Sequence, residues 1–236
     1  MKRMKRTTRI IEVVYAAFAL FVFVFCVIGD FSNPVRNNAP LKYVFLFIGL
    51  ALCVYTLLLS IWKKERVGEL TFLLLATAFT IGADTFLLML QKHLLLGVIL
   101  FFVAQNLHYV RFLWASQFER KVFFISLGYR LGLIVIGIIV SLILGYHDAL
   151  SLWSIAYFAC LVCNAIDALW AYVHLKKSYL LLLGIGFLFF IGCDVCVGLY
   201  NILPASESSM FYPWIWLFYI PAQALIISSG TFSHET

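Results

Sequence analysis

The sequence predicts an all-α fold, a polytopic membrane helix bundle of about eight transmembrane helices. Three observations predict it. Of 236 residues, 64% are hydrophobic and only 12% are charged, about half the charged share of a soluble domain and too little to coat a water-facing surface. Apolar runs of about 20 residues recur, the length a helix rising about 1.5 Å per residue needs to cross a hydrocarbon core of about 30 Å. The runs are continuous. Barrel strands would alternate over about ten residues, and only helices satisfy backbone polar groups within one unbroken apolar segment.

The first span covers 10–28, after the basic opening MKRMKRTTR. Its apolar run is too long for the usual hydrophobic region of a secretory signal, and no A-x-A-like site follows, so it reads as an uncleaved span. Spans two to four cover 41–62, 68–90 and 95–115, separated by short polar segments at 63–67 and 91–94. Spans five and six cover 122–145 and 150–175, with His147 and Asp148 in the turn between them. Spans seven and eight cover 179–200 and 213–230, and the longest connection, ILPASESSMFYP at 201–212, lies between Pro204 and Pro213. No connection can hold a soluble domain, so residues 1–236 are expected to form one integral membrane domain.

Orientation follows from the basic residues. Twelve of them (Lys2, Arg3, Lys5, Arg6, Arg9, Lys63, Lys64, Arg66, Arg120, Lys121, Lys176 and Lys177) fall on one side, and three (Arg36, Lys42 and Lys92) on the other. Arg111 and Arg130 lie within spans. The bias puts the amino terminus inside, and an even span count puts the carboxyl terminus inside too. The expected location is a bacterial cell membrane. The net charge of +6 is this topology signal, and no nucleic-acid partner is expected.

Cys160 and Cys163 form one C-x-x-C and Cys193 and Cys196 another. Both lie in mid-span, whereas zinc knuckles sit on turns, so these thiols read as small packing residues. No metal or cofactor is expected.

The informative residues are those that are costly to bury. Arg130 and Asp167 lie at matching depths in sequential spans, which predicts a structural ion pair, with Asn164 one helical turn from the aspartate. Gly128 and Gly132 form a GxxxG step that invites close approach of another helix. Glu12 and Glu69 sit near span ends beside Arg9 and Arg66 and read as interfacial.

Asp84 and Asp194 differ from these. They share a local sequence, Ile81-Gly82-Ala83-Asp84 and Ile191-Gly192-Cys193-Asp194, with Phe79 and Phe189 five residues earlier. The following span carries Ala-Gln in each case, Ala104-Gln105 and Ala222-Gln223. Spans three and four thus resemble spans seven and eight, a parallel 4+4 pseudo-repeat. Its two-fold axis along the membrane normal would gather both carboxylates and both amides around one cavity. His108 and Tyr109 share the Gln105 side of their helix, and Tyr219 shares that of Gln223.

Two carboxylates in a poorly hydrated cavity repel, so one keeps a proton while the other stays ionised. That pair suits acid-labile ethers. Protonating a vinyl ether at carbon gives an oxocarbenium ion that the ionised partner stabilises. Water then adds, and the hemiacetal collapses to an aldehyde and an alcohol.

The ordered motifs IGAD (81–84), GVILFFVAQ (97–105), GFLFFIGCD (186–194) and YIPAQALI (219–226) resemble the YhhN-type lysoplasmalogenase family. The resemblance implies eight spans and cleavage of the vinyl ether bond of lysoplasmalogens, giving a fatty aldehyde and a glycerophospho-alcohol. It also implies a membrane lysophospholipid as partner. It assigns Asp84 and Asp194 to the two acidic positions and Gln223 to the carboxyl-proximal amide. The chain departs at Gln105, where the family often has His, and at His108, where a Tyr is expected and Tyr109 stands one residue on. Two other classes compete with an enzyme: a transporter or proton-coupled carrier, and a non-catalytic lipid-binding or sensing protein.

Overall fold

The structure, a computed structural model, describes residues 2–32, 39–90, 92–117 and 119–231. These residues hold eight helices long and apolar enough to cross a membrane. The long helices are α1 (Lys2–Ser32), α2 (Ala39–Lys63), α3 (Val67–Asp84), α4 (Leu94–Ala115), α5 (Arg120–Ile143), α6 (Ala149–Leu175), α7 (Ser178–Ile202) and α9 (Tyr212–Thr231). The short α8 (Ala205–Ser208) and a 3₁₀ turn (Ser209–Phe211) fill the connection that the sequence marks as polar. No strand occurs among the described residues. The chain is a multi-pass helical membrane protein.

Short connections turn sharply by using left-handed residues. Lys64, Arg66, His93, Gln117 and Lys176 all have φ near 55°, and Gly145, at +87°, follows α5 where a side chain would be strained. Asp148 caps α6, its carboxylate accepting from Ser151 N at 3.0 Å and Ser151 Oγ at 2.6 Å. Those donors favour the charged form and hold its carboxyl below the usual range.

The chain divides into two compact units, residues 53–176 and residues 1–52 with 177–236. In the first, α3 and α4 form a hairpin, α4 packs on α6, and α6 on α5. The bilayer's logic is plainest in α5. Its buried residues are all polar, Ser126, Arg130 and Ser141, while Phe124, Ile125, Leu131, Ile136, Ile139 and Ile143 are exposed. A helix in water would show the reverse pattern. In the other unit α7 packs on α9, and α9 on α1.

Three expectations are corrected. The first helix does not end at 28 but runs to Ser32, because the charge at Asp30 is neutralised: Lys42 Nζ donates to its carboxylate at 2.8 Å, and both side chains are fully buried. Lys42, counted above among the three basic residues of one side, also sits 3.8 Å from the centroid of the Trp216 ring. Gly128 and Gly132 face open space, with nothing within 4 Å of a Cβ placed on either, since α5 turns its polar seam rather than these glycines towards α6. Glu69 is not interfacial but buried. It accepts from Arg66 and, at 3.3 Å, from Arg111 Nε.

Candidate functional site

The two Asp–Gln hairpins can each be built from helix contacts alone. Along α3 and α4, a Cβ on Gly82 would meet Leu100 at 3.6 Å, and one on Gly97 would meet Leu87 and the Ala83 carbonyl. Along α7 and α9, a Cβ on Gly192 would meet the Phe218 ring at 3.1 Å, and one on Gly186 the Ala222 carbonyl at 3.2 Å. Gly82 and Gly192 are the glycines of the two IGxD motifs. Leu100 and Phe218 each stand five residues before the glutamine of their own helix. The two hairpins therefore share one register. In both, the aspartate lies about seven residues, roughly 10 Å, along the axis from the glutamine level. Carboxylate and amide form two layers within each hairpin rather than one.

The carboxylates have different settings. Asp84 is 2% exposed and is the last residue of α3, where the backbone widens into a π-helical turn (Thr85–Leu90). Thr85 Oγ1 donates back to the Ile81 carbonyl at 2.8 Å. Single π turns inside α-helices are frequent at functional sites. Asp194 lies within the regular helix α7 and is half-buried. Asp84 belongs to the first unit with Gln105, His108, Tyr109, Arg130 and Asp167, and Asp194 to the other with Tyr219 and Gln223.

The glutamines are alike. Gln105 and Gln223 are 0% and 3% exposed, and the Nε2 of each finds no hydrogen-bond acceptor among the described residues. Pro221 lies inside α9 two residues before Gln223. Its missing N–H leaves the Leu217 carbonyl without its helical donor. Tyr219 is buried, its ring edge-on to Phe190 at 5.6 Å. His108 is buried one turn from Gln105.

Arg130 and Asp167 anchor the densest polar network of the first unit. Arg130 Nη2 donates to Asp167 Oδ2 at 2.6 Å and to Asn164 Oδ1 at 2.9 Å, and Nη1 to the Cys160 carbonyl at 3.3 Å. Ser126 and Tyr129 also donate to Asp167. The Arg130 guanidinium lies 4.0 Å from the Tyr109 ring centroid, and the Tyr109 hydroxyl donates to the Phe123 carbonyl at 3.4 Å. Tyr109 is thus tied to the ion pair. Asn164 carries the network on to the glutamine, its Nδ2 donating to Gln105 Oε1 at 2.8 Å and to the Gln105 carbonyl at 2.9 Å.

Sequence reasoning missed Ser126 and Tyr129, which look like ordinary helix residues until Asp167 is opposite them. It missed Asp30 because the residue follows a glycine at the apparent end of an apolar run. All six cysteines are buried. No group of three or more His, Cys, Asp or Glu that could hold a metal ion occurs among the described residues.

A profile of the YhhN family matches residues 42–230, about four-fifths of the chain. The chain belongs to the YhhN family. The match takes in both Asp–Gln hairpins of this YhhN protein together with the Arg130–Asp167 network, and it begins at Lys42, the partner of Asp30. No curated protein and no solved structure matches the chain.

Proposed function

We propose that this YhhN protein is a lysoplasmalogenase that hydrolyses the vinyl ether bond of a lysoplasmalogen within the membrane, with Asp84 and Asp194 as its acid pair. Family membership supports the lysoplasmalogenase-like assignment. The observation that carries the residue assignment is the shared register of the two hairpins. Each sets one aspartate and one buried amide with unspent N–H donors at equivalent places along its two helices. Such groups are costly to keep in a membrane protein without a task.

In the proposed reaction one carboxyl protonates the vinyl carbon remote from oxygen, and the ionised partner stabilises the oxocarbenium ion. Water adds to the cationic carbon and gives up a proton to a carboxylate. The hemiacetal C–O bond to glycerol then breaks, with proton transfer to the departing oxygen. The products are a fatty aldehyde and a glycerophospho-alcohol, and the acid is regenerated. Asp84, sealed from solvent beside the π turn, and Asp194, more accessible in a regular helix, are different enough to divide these roles.

The test is fatty-aldehyde release by protein purified in mild detergent from lysoplasmenyl-ethanolamine, with the 1-O-alkyl analogue as a control. The expected result is aldehyde from the alkenyl lipid alone, carrying one deuteron beside the carbonyl when the reaction runs in heavy water. No aldehyde across head groups and pH would reject the reading.

A further inference from the structure

The orientation of the Gln105 amide is fixed by its neighbours. Arginine offers N–H donors and cannot accept. The Asn164 atom 2.9 Å from Arg130 Nη2 must therefore be the oxygen, which leaves Asn164 Nδ2 as a donor. The same nitrogen lies 2.9 Å from the Gln105 backbone carbonyl, an obligate acceptor, so a second contact fixes the same orientation. Its remaining contact, at 2.8 Å, must then be Gln105 Oε1. The chain of necessity runs from Asp167, which holds Arg130, through Asn164 to the glutamine. It ends at Gln105 Nε2, two N–H donors on a fully buried side chain with no acceptor among the described residues.

A buried donor kept unsatisfied costs stability, and one whose flip is locked by two independent contacts is held that way by design of the network. From these observations we propose that Gln105 Nε2 binds an acceptor oxygen of the lysolipid, and that Asn164 is the positioning residue that keeps it a donor. This rests on the lysoplasmalogenase reading for the identity of the ligand. Gln105 lies roughly 10 Å along the hairpin from the Asp84 level. The oxygen it meets is accordingly not at the reacting carbon but on the glycerol or phosphodiester part of an elongated ligand. The interaction is the same before and during reaction, so it lowers KM and leaves kcat alone.

The experiment compares wild type with Asn164→Leu, Gln105→Leu, Gln105→Glu and the double Asn164→Leu/Gln105→Leu. Two readouts are taken on each: binding of 1-O-alkyl-lysophosphoethanolamine, followed by tryptophan fluorescence in nanodiscs, and KM and kcat for aldehyde release. Gln105→Glu keeps an acceptor for Asn164 and, once ionised, has no donor, so its binding read up to a pH that ionises the carboxyl separates loss of the donor from loss of packing. The expected result is an increase of about three- to tenfold in Kd and KM for each single variant, with kcat within about twofold. The double variant is no weaker than Gln105→Leu, because Asn164 acts only through that amide. Repeating the binding with 1-O-alkylglycerol locates the acceptor. A penalty that disappears puts it on the phosphodiester, and one that persists puts it on the glycerol.

Unchanged binding in Gln105→Glu, additive losses in the double variant, or no binding by wild type would each overturn the proposal. Wild type that binds the alkyl probe with these penalties but releases no aldehyde would reject the hydrolase and leave the Gln105 site standing. Aldehyde release with KM and Kd indifferent to Gln105 and Asn164 would do the opposite.

Discussion

Removing either partner of the Arg130–Asp167 pair should be far more damaging than replacing both. The side chains are 4% and 5% exposed and meet at 2.6 Å, so each charge has exchanged water for the other. Asp167→Ala strands a guanidinium that keeps only Asn164 and the Cys160 carbonyl as acceptors. Arg130→Ala strands a carboxylate that keeps only the neutral donors Ser126 and Tyr129. Stranding one charge of a buried pair costs about 3–5 kcal/mol, whereas an apolar pair of similar volume is often close to neutral. Arg130→Met/Asp167→Leu should therefore lie within about 2 kcal/mol of wild type, with a coupling of several kcal/mol between the sites. The assay is equilibrium unfolding in mixed micelles with increasing SDS, followed by helical circular dichroism. Single variants within about 1 kcal/mol of wild type, or a double variant equal to the sum of the singles, would refute the reasoning.

Other predictions follow from the same packing. Lys42→Met leaves Asp30 buried without its cation and should cost about 3–5 kcal/mol. Asp30→Leu in that background should recover most of the loss in the same unfolding assay, and the emission of Trp216 should shift as the ammonium leaves its ring. Gly186→Ala should destabilise by about 1–3 kcal/mol, because its Cβ meets backbone at 3.2 Å on α9 and the two helices must part. Gly132→Ala should instead be neutral or stabilising by up to about 1 kcal/mol, because that site is open and alanine favours the helix. Glu69→Gln should lower stability by about 2–4 kcal/mol, since Arg66 and Arg111 both donate to that carboxylate. Thermal unfolding in one detergent ranks all of these variants.

What was legible in the sequence was whatever the bilayer enforces. Span number and approximate ends follow from the length of hydrocarbon to be crossed. The depths of Arg130 and Asp167 follow because a charge in lipid needs a partner at its own level. The equivalence of Gly82-Ala83-Asp84 with Gly192-Cys193-Asp194 could be read from letters, and the register that Gly82 and Gly192 impose on α4 and α9 gives it geometric content. Illegible was whatever depends on rotation about a helix axis. Spacing alone could not say that Gly128 and Gly132 face away from other helices, or that Tyr109 lies under Arg130. Nor could it say that Asn164 reaches both the ion pair and Gln105. Asp30 was passed over and Glu69 misjudged for a shared reason. A charge near a span end looks interfacial until a cation from another helix, Lys42 or Arg111, is found buried against it.

The central claim is that Asp84 and Asp194 together cleave a vinyl ether. It is tested most directly by turnover of lysoplasmenyl-ethanolamine by wild type, Asp84→Asn and Asp194→Asn, each checked for an unaltered unfolding transition. The account predicts aldehyde from wild type and a loss of at least about a hundredfold in kcat for each variant, the usual scale for removing an acid–base group. Full turnover by either folded variant would contradict it.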